Sequence, residues 1–153
     1  MDNKKNLIES LNTSQILVGL ALGTKTLGVA VSDRYKIIAS PLSTIQRNGT
    51  KKDLLKLQEI LNDYEIGGFI VGLPLSLDNS ENKQTQLVRN FNKELINFFS
   101  LPSVFWDERF SSDVIFREMR KSNMSTNKIK NKLDQQSASY ILQGYLERYR
   151  KNK

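Results

Sequence analysis

Apolar residues first gather in two short runs, Ile16–Leu22 and Leu27–Val31, parted by Gly23-Thr24-Lys25-Thr26. Two apolar runs of strand length joined by a turn-rich link predict a β-hairpin. Tyr35–Ile45 carries a third strand, Lys36-Ile37-Ile38-Ala39, which runs into Pro41, so three antiparallel strands in succession make a meander. The period then changes. Leu54, Leu57, Leu61 and Tyr64 recur at helical spacing and predict an amphipathic helix over about 51–64, ended by Gly67-Gly68. Phe69-Ile70-Val71 is a continuous apolar run, as in a buried strand, and stops at Gly72-Leu73-Pro74. Ser80 is placed to cap a second helix whose apolar face is Leu87, Phe91, Leu95 and Phe98. Beyond Pro102, Val104-Phe105-Trp106 predicts a fifth strand ending at Asp107-Glu108-Arg109. A short helix over 111–120, a polar and basic loop over Lys121–Asn127, and a last helix from about 128 to 149 complete the chain. That last helix sets Ile129, Leu133, Ile141, Tyr145 and Tyr149 on one stripe.

The order βββαβαβα(α) predicts an α/β fold: a five-stranded mixed sheet, a three-strand antiparallel meander plus two further strands, flanked by helices. Residues 1–15 read as an N-terminal extension and 16–150 as a single domain, since no repeat or low-complexity linker divides the 153 residues. An apolar share of 39% beside 25% charged residues is that of a globular protein with a core to bury. No run approaches the ~18 apolar residues of a membrane span. The first fourteen residues hold only Leu7, Ile8 and Leu11 as apolar positions, which makes no signal-peptide core, so a cytoplasmic protein that avoids membranes is expected.

Composition narrows the chemistry further. With no cysteine and no histidine, thiolate nucleophiles, imidazole bases and zinc sites built on those residues are excluded. Hydrolysis by such a chain must rest on carboxylates, hydroxyls and amines, and oxygen-only ligands favour Mg²⁺ or Mn²⁺. The net charge of +7 is unevenly placed: residues 1–108 are balanced, and 109–153 carry the whole excess. A basic C-terminal third beside a neutral body suits a polyanion partner, and suits a solvated charged tail equally.

Three groups of residues could carry chemistry. Asp107 and Glu108 end an apolar strand, where side chains emerge into a crevice, and Asp134 lies on the last helix just before the small residues Ser137 and Ala138. Small residues let a helix approach a sheet, and carboxylates gathered from separate elements repel one another unless a divalent ion neutralises them. Taken singly, each acid is better explained by a helix start or an exposed helix face; their joint appearance is what points to a site. Gly23, Gly28 and Gly72 stand at predicted turns, where positive φ and exposed amides suit a phosphate, with Lys25 adding a charge; a tight hairpin with a solvated lysine explains the same residues. Arg109, Arg117, Arg120, Lys121, Lys128, Lys130 and Lys132 flank the acids and would form an electrostatic funnel for a phosphate backbone. Trp106 and Phe110 could stack on a base, though Trp106 inside a strand reads first as core.

Four stretches, GLALGTKTLGVAVSD (19–33), IVGLPLSLDNS (70–80), DERFSS (107–112) and DQQSASYILQGYL (134–146), resemble in order and spacing the YqgF, or RuvX, family, over nearly the whole chain from Ile16 to about Tyr149. The family goes by two descriptions, Holliday-junction resolvase and pre-16S rRNA nuclease, and has an RNase H-like fold. The resemblance implies phosphodiester hydrolysis dependent on Mg²⁺ or Mn²⁺. Carried over, the metal-ligating and catalytic acids fall on Asp107, Glu108 and Asp134, with the choice between Asp107 and Glu108 open. Nucleic-acid contacts fall on Lys25 and Arg109, with Lys128, Lys130 and Lys132 nearby. The departure is Ala21, where the family pattern G-x-D-x-G has the aspartate that serves RNase H-like enzymes as central metal ligand. Alanine offers no oxygen, so weakened metal binding and impaired catalysis are expected. Thr26, where the family usually has arginine, and Asn79, where it usually has glycine, are smaller departures.

The resulting expectation is a nuclease of structured RNA, acting in 5′-end maturation of pre-16S rRNA and thus in ribosome biogenesis, or of branched DNA. Its rival is a catalytically silent RNA-binding protein. A phosphate cradle of the actin-like ATPase kind ranks last, because such proteins need two domains of this size. Tyr140, Tyr145 and Phe99 serve either the core or an interface, so a monomer or weak homodimer is expected.

Overall fold

The computed structural model describes residues 6–76, 78, 80–107 and 126–149, and over 126–135 the backbone alone. After a 3₁₀ turn at Ile8–Ser10 come β1 (Ile16–Leu22), β2 (Thr26–Ser32), β3 (Ala39–Gln46), α1 (Thr50–Ile60), β4 (Ile66–Leu73), α2 (Lys83–Phe99), β5 (Ser103–Asp107) and α3 (Thr126–Tyr149). The strands form one mixed sheet in the order β3-β2-β1-β4-β5. β1 pairs antiparallel with β2, and β2 with β3; β1 and β4 are parallel, as are β4 and β5. The expected five-strand mixed sheet is therefore the one observed.

Alternation along the strands divides the core into two layers. On one face Val18, Leu20, Leu27, Val29, Phe69 and Val71 pack under Leu54 and Leu57 of α1 and Val88, Phe91 and Leu95 of α2. On the other, Leu17, Ala30 and Ile70 meet Ala138, Ile141, Leu142, Tyr145 and Leu146 of α3. Helix and sheet come close there because Gly19 has no side chain: a Cβ on it would lie 2.7 Å from the carbonyl oxygen of Ala138 and 2.8 Å from Leu142 Cβ. Tyr145 and Phe99 both pack within the protein, Phe99 against Phe69 with ring centroids 5.0 Å apart, whereas Tyr140 is exposed.

Several elements differ from the pattern reading, each for a local reason. The third strand is not Lys36–Ala39; it begins at Ala39 and runs through Pro41 to Gln46. Residues 33–38 form a turn clipped by Asp33, whose Oδ1 accepts the N–H groups of Ile37 (2.7 Å) and Ile38 (3.0 Å), with Lys36 at φ 59°. Burial alone would push the Asp33 carboxyl up, but those N–H donors outweigh it and hold it below its ordinary value. Pro41 is tolerated because β3 is an edge strand with an irregularity at that point. The first helix ends at Ile60, and Gly67 and Gly68 lie inside β4 rather than at a helix end. Their missing side chains admit Leu11 and Leu7 of the N-terminal segment, and the N–H of Leu7 donates to the Tyr145 hydroxyl at 2.7 Å. Residues 7–11 are thus packed onto the sheet. α2 is capped by Asn82 in a capping box with Thr85, while Ser80 bonds Asp78, and its buried face carries Val88 in place of the exposed Leu87. α3 begins at Thr126, inside the stretch expected to be loop. The predicted helix over 111–120 lies outside the described residues.

Candidate functional site

Of the residues that the family resemblance singles out, Ala21 lies on the α3 face, near the C-terminal end of β1. Strand register lays one row of residues across the sheet there. Thr44 pairs with Gly28, and Gly28 with Ala21. β1 and β4 run Gly19 beside Ile70 and Leu20 beside Val71, which sets Ala21 beside Gly72, and Gly72 pairs with Trp106. Partners in a register share a face, so the row Thr44, Gly28, Ala21, Gly72, Trp106 is a floor of two glycines and one alanine between a hydroxyl and an indole. Ala21 is half-buried against the α3-side core. Trp106 packs edge-on to Tyr145, with centroids 6.1 Å apart, which bears out its core reading.

The glycines work differently from expected. Gly28 and Gly72 are strand residues, and among the described glycines only Gly49 has a positive φ, 99°. Their part in the row is to present hydrogen where any other residue would present a side chain.

α3 runs antiparallel to β1. Tyr145 reaches Leu7, which packs on Gly68 at the start of β4, while Ala138 and Leu142 cover Gly19. Residue 134 stands one helical turn before Ala138, and Ala21 stands two residues beyond Gly19, so the backbone brings the helix position of Asp134 towards the Ala21 end of the row. Lys128, Lys130 and Lys132 belong to the preceding turns of α3; like that of Asp134, their side chains lie outside the described residues. Asp107 ends β5 opposite Leu73 and is exposed; it follows Trp106, so alternation places it on the α1–α2 face, away from Ala21. Glu108 and Arg109 lie outside the described residues. Among the described residues no three acids gather to hold a metal ion.

Two loops border the row. After β4, the segment from Pro74 to Ser76 is tied to the start of α2: the Thr85 hydroxyl donates to the Pro74 carbonyl, and Asn82 Nδ2 to Ser76 Oγ at 3.1 Å. After β1, the turn of residues 23–25 exposes Thr24 and Lys25. It is held by Arg47 and Asp53, a pair that the sequence reading passed over. Asp53 is 1% exposed, yet it accepts from Arg47 Nε at 2.6 Å and from the Asn48 N–H at 2.8 Å. An acid in the first turn of a helix, six residues after an arginine closing a strand, is the only sequence signal for it.

A model of the RuvX family, described as Holliday junction resolvase, matches residues 15–148 of this chain. A Methylocella silvestris protein named "Putative pre-16S rRNA nuclease" is 42% identical over 137 residues, covering 90% of this chain and 85% of that relative. A Cereibacter sphaeroides protein of the same name is 39% identical over 147 residues, covering 96% and 92%. Among solved structures, T. thermophilus RuvC in complex with Holliday junction substrate matches with a TM-score of 0.55 at 10% identity, over 91% of this chain and 98% of that one. That likeness is one of fold, and the fold is RNase H-like.

Proposed function

The chain belongs to the RuvX family, and from that membership we propose that it is a nucleic-acid phosphodiester hydrolase acting on structured RNA in 5′-end maturation of pre-16S rRNA, with cleavage impaired by Ala21. The names of the relatives support the substrate class. The observation that supports the impairment is the floor of the row: between Gly28 and Gly72 the β1 residue carries a methyl group, so β1 offers no side-chain oxygen there. Bound Mg²⁺ or Mn²⁺ would supply charge neutralisation for the attacking and leaving oxygens. The described donor set does not fit such an ion, because Ala21 has no donor and Asp107 alternates to the other face. We therefore assign the remaining ligand roles to Glu108 and Asp134, with Asp107 the weaker candidate of the strand-end pair. Lys25, Arg109, Lys128, Lys130 and Lys132 are assigned to the phosphate backbone.

The test is cleavage of a pre-16S rRNA 5′ fragment and of a DNA four-way junction, with Mg²⁺, Mn²⁺ or chelator, by this chain and by its Ala21→Asp variant. The substitution is expected to raise metal-dependent cleavage of the RNA by about 10²–10³-fold, the range for one strong transition-state contact. Equal rates for the two proteins would remove Ala21 from the site. Cutting of the junction alone would make the chain a resolvase. A second reading, a silent RNA-binding protein, is favoured by the same methyl group; it predicts RNA affinity with no turnover, and fails if this chain itself cleaves in a metal-dependent way.

A further inference from the structure

The β1–β2 turn hangs from a side chain of another element. Arg47 directly follows β3, and its backbone N–H donates to the carbonyl of Lys25 at 2.8 Å. Its guanidinium folds back to the same turn: Nη1 donates to the Gly23 carbonyl at 3.2 Å, and Nε donates to Asp53 Oδ2 at 2.6 Å. The carboxylate of Asp53 is fixed in turn by the Asn48 N–H, and the guanidinium carbon lies 5.7 Å from the centroid of Phe91 on α2. One planar, forked cation thus joins the hairpin turn, the β3–α1 junction and α2. Within the turn, the contact that closes it is the Gly23 N–H donating to the Thr26 carbonyl at 2.8 Å, and Thr24 and Lys25 are open to solvent.

We propose that Arg47, its plane held by buried Asp53, is a positioning residue for Lys25, fixing the charged hairpin tip at the mouth of the Ala21 row so that the ammonium meets a phosphate of the bound strand. The proposal rests on the nucleic-acid reading above. Lysine at 47 would keep the charge but lose the fork that spans Gly23 and Asp53 at once, so the geometry, not the charge, is what the substitution removes.

The test is a double-mutant cycle on affinity for a fluorescently labelled pre-16S rRNA 5′ fragment, measured across a salt series. Lys25→Gln is expected to weaken binding and to lower the slope of log affinity against log salt by about 0.7–0.9, one phosphate contact. Arg47→Lys, at unchanged net charge, is expected to lose the same slope, and Lys25→Gln in the Arg47→Lys background is expected to lose nothing more. A merely structural arginine would leave the slope unchanged in Arg47→Lys, and the two effects would add; either result overturns the proposal. If Arg47→Lys does not fold, Asp53→Asn frees the guanidinium plane while leaving Arg47 in place, and the same cycle with Lys25→Gln applies. Failure of the wild-type chain to bind the RNA at all would instead sink the nucleic-acid reading, before any variant is compared.

Discussion

Thr44 Oγ1 is buried and has no hydrogen-bond partner among the described residues, although it stands in the same row as Ala21. A buried hydroxyl without a partner keeps its desolvation cost. Replacing it by the isosteric methyl in Thr44→Val is expected to stabilise the protein by about 1 kcal/mol, read as a higher urea midpoint at unchanged slope. A loss of similar size would show that the hydroxyl is satisfied. At this scale the sequence was uneven in what it disclosed. Ala21 stood out because its neighbours match a motif that requires an acid there. Arg47 and Asp53 did not, because an ion pair between a strand end and a helix has no period and no motif, and its burial exists only once α1 and α2 have packed.

Among the elements, α3 is the one whose position the site depends on most. It lies against β1 through Gly19, where an added Cβ would meet Ala138 and Leu142 at less than 3 Å. Gly19→Ala is therefore expected to push α3 off the sheet at a cost of about 1–3 kcal/mol, and to weaken RNA binding as well, since the helix carries residues 128–134. A melting temperature equal to wild type would contradict that close packing. The far end of α3 is anchored by Tyr145, whose hydroxyl accepts from the Leu7 N–H. Burial pushes its phenol up from 10.0 to about 12, partly offset by that N–H and reinforced by Tyr149. The folded state therefore holds this proton more tightly than the unfolded chain does. The associated stability is complete below about pH 10 and is lost as pH rises towards about 12, by up to ~1.4 kcal/mol per pH unit. Tyr145→Phe is expected to flatten that alkaline loss in urea titrations, and an unchanged pH profile would exclude Tyr145 as its source. Element identity was readable from periodicity because both layers of the core follow simple alternation. Boundaries were less so: the β2–β3 turn is set by Asp33 bonding two backbone amides, and the start of α2 by Asn82, both local polar contacts that hydropathy does not register.

For the whole molecule, the mixed five-stranded sheet and its covering helices were accessible from the order of periods alone, since a meander followed by alternating helices and strands leaves few ways to cover one sheet on both faces, whereas the strand order came only with the structure. Of the candidate site, the acids and Lys25 were legible from the residues, but the Ala21 position only through the family motif, because an alanine in a strand reads as an ordinary strand residue and Gly28 and Gly72 read as turn residues. The charge distribution was legible throughout and leads to the broadest prediction. With the net +7 carried wholly by residues 109–153, most of the polyanion-binding surface should lie with α3 and the segment before it, the balanced sheet body adding the single contact of Lys25. Log affinity for structured RNA should then fall linearly with log salt. The triple change Lys128→Gln, Lys130→Gln and Lys132→Gln is expected to lower that slope by about 2–3, whereas the same number of lysines removed from α1, at Lys51, Lys52 and Lys56, is expected to leave it within about 0.5. The comparison separates a directed surface from diffuse attraction, since both triples remove equal charge. Equal slopes for the two variants would mean that RNA responds to net charge only, and that α3 is not the face on which it lies.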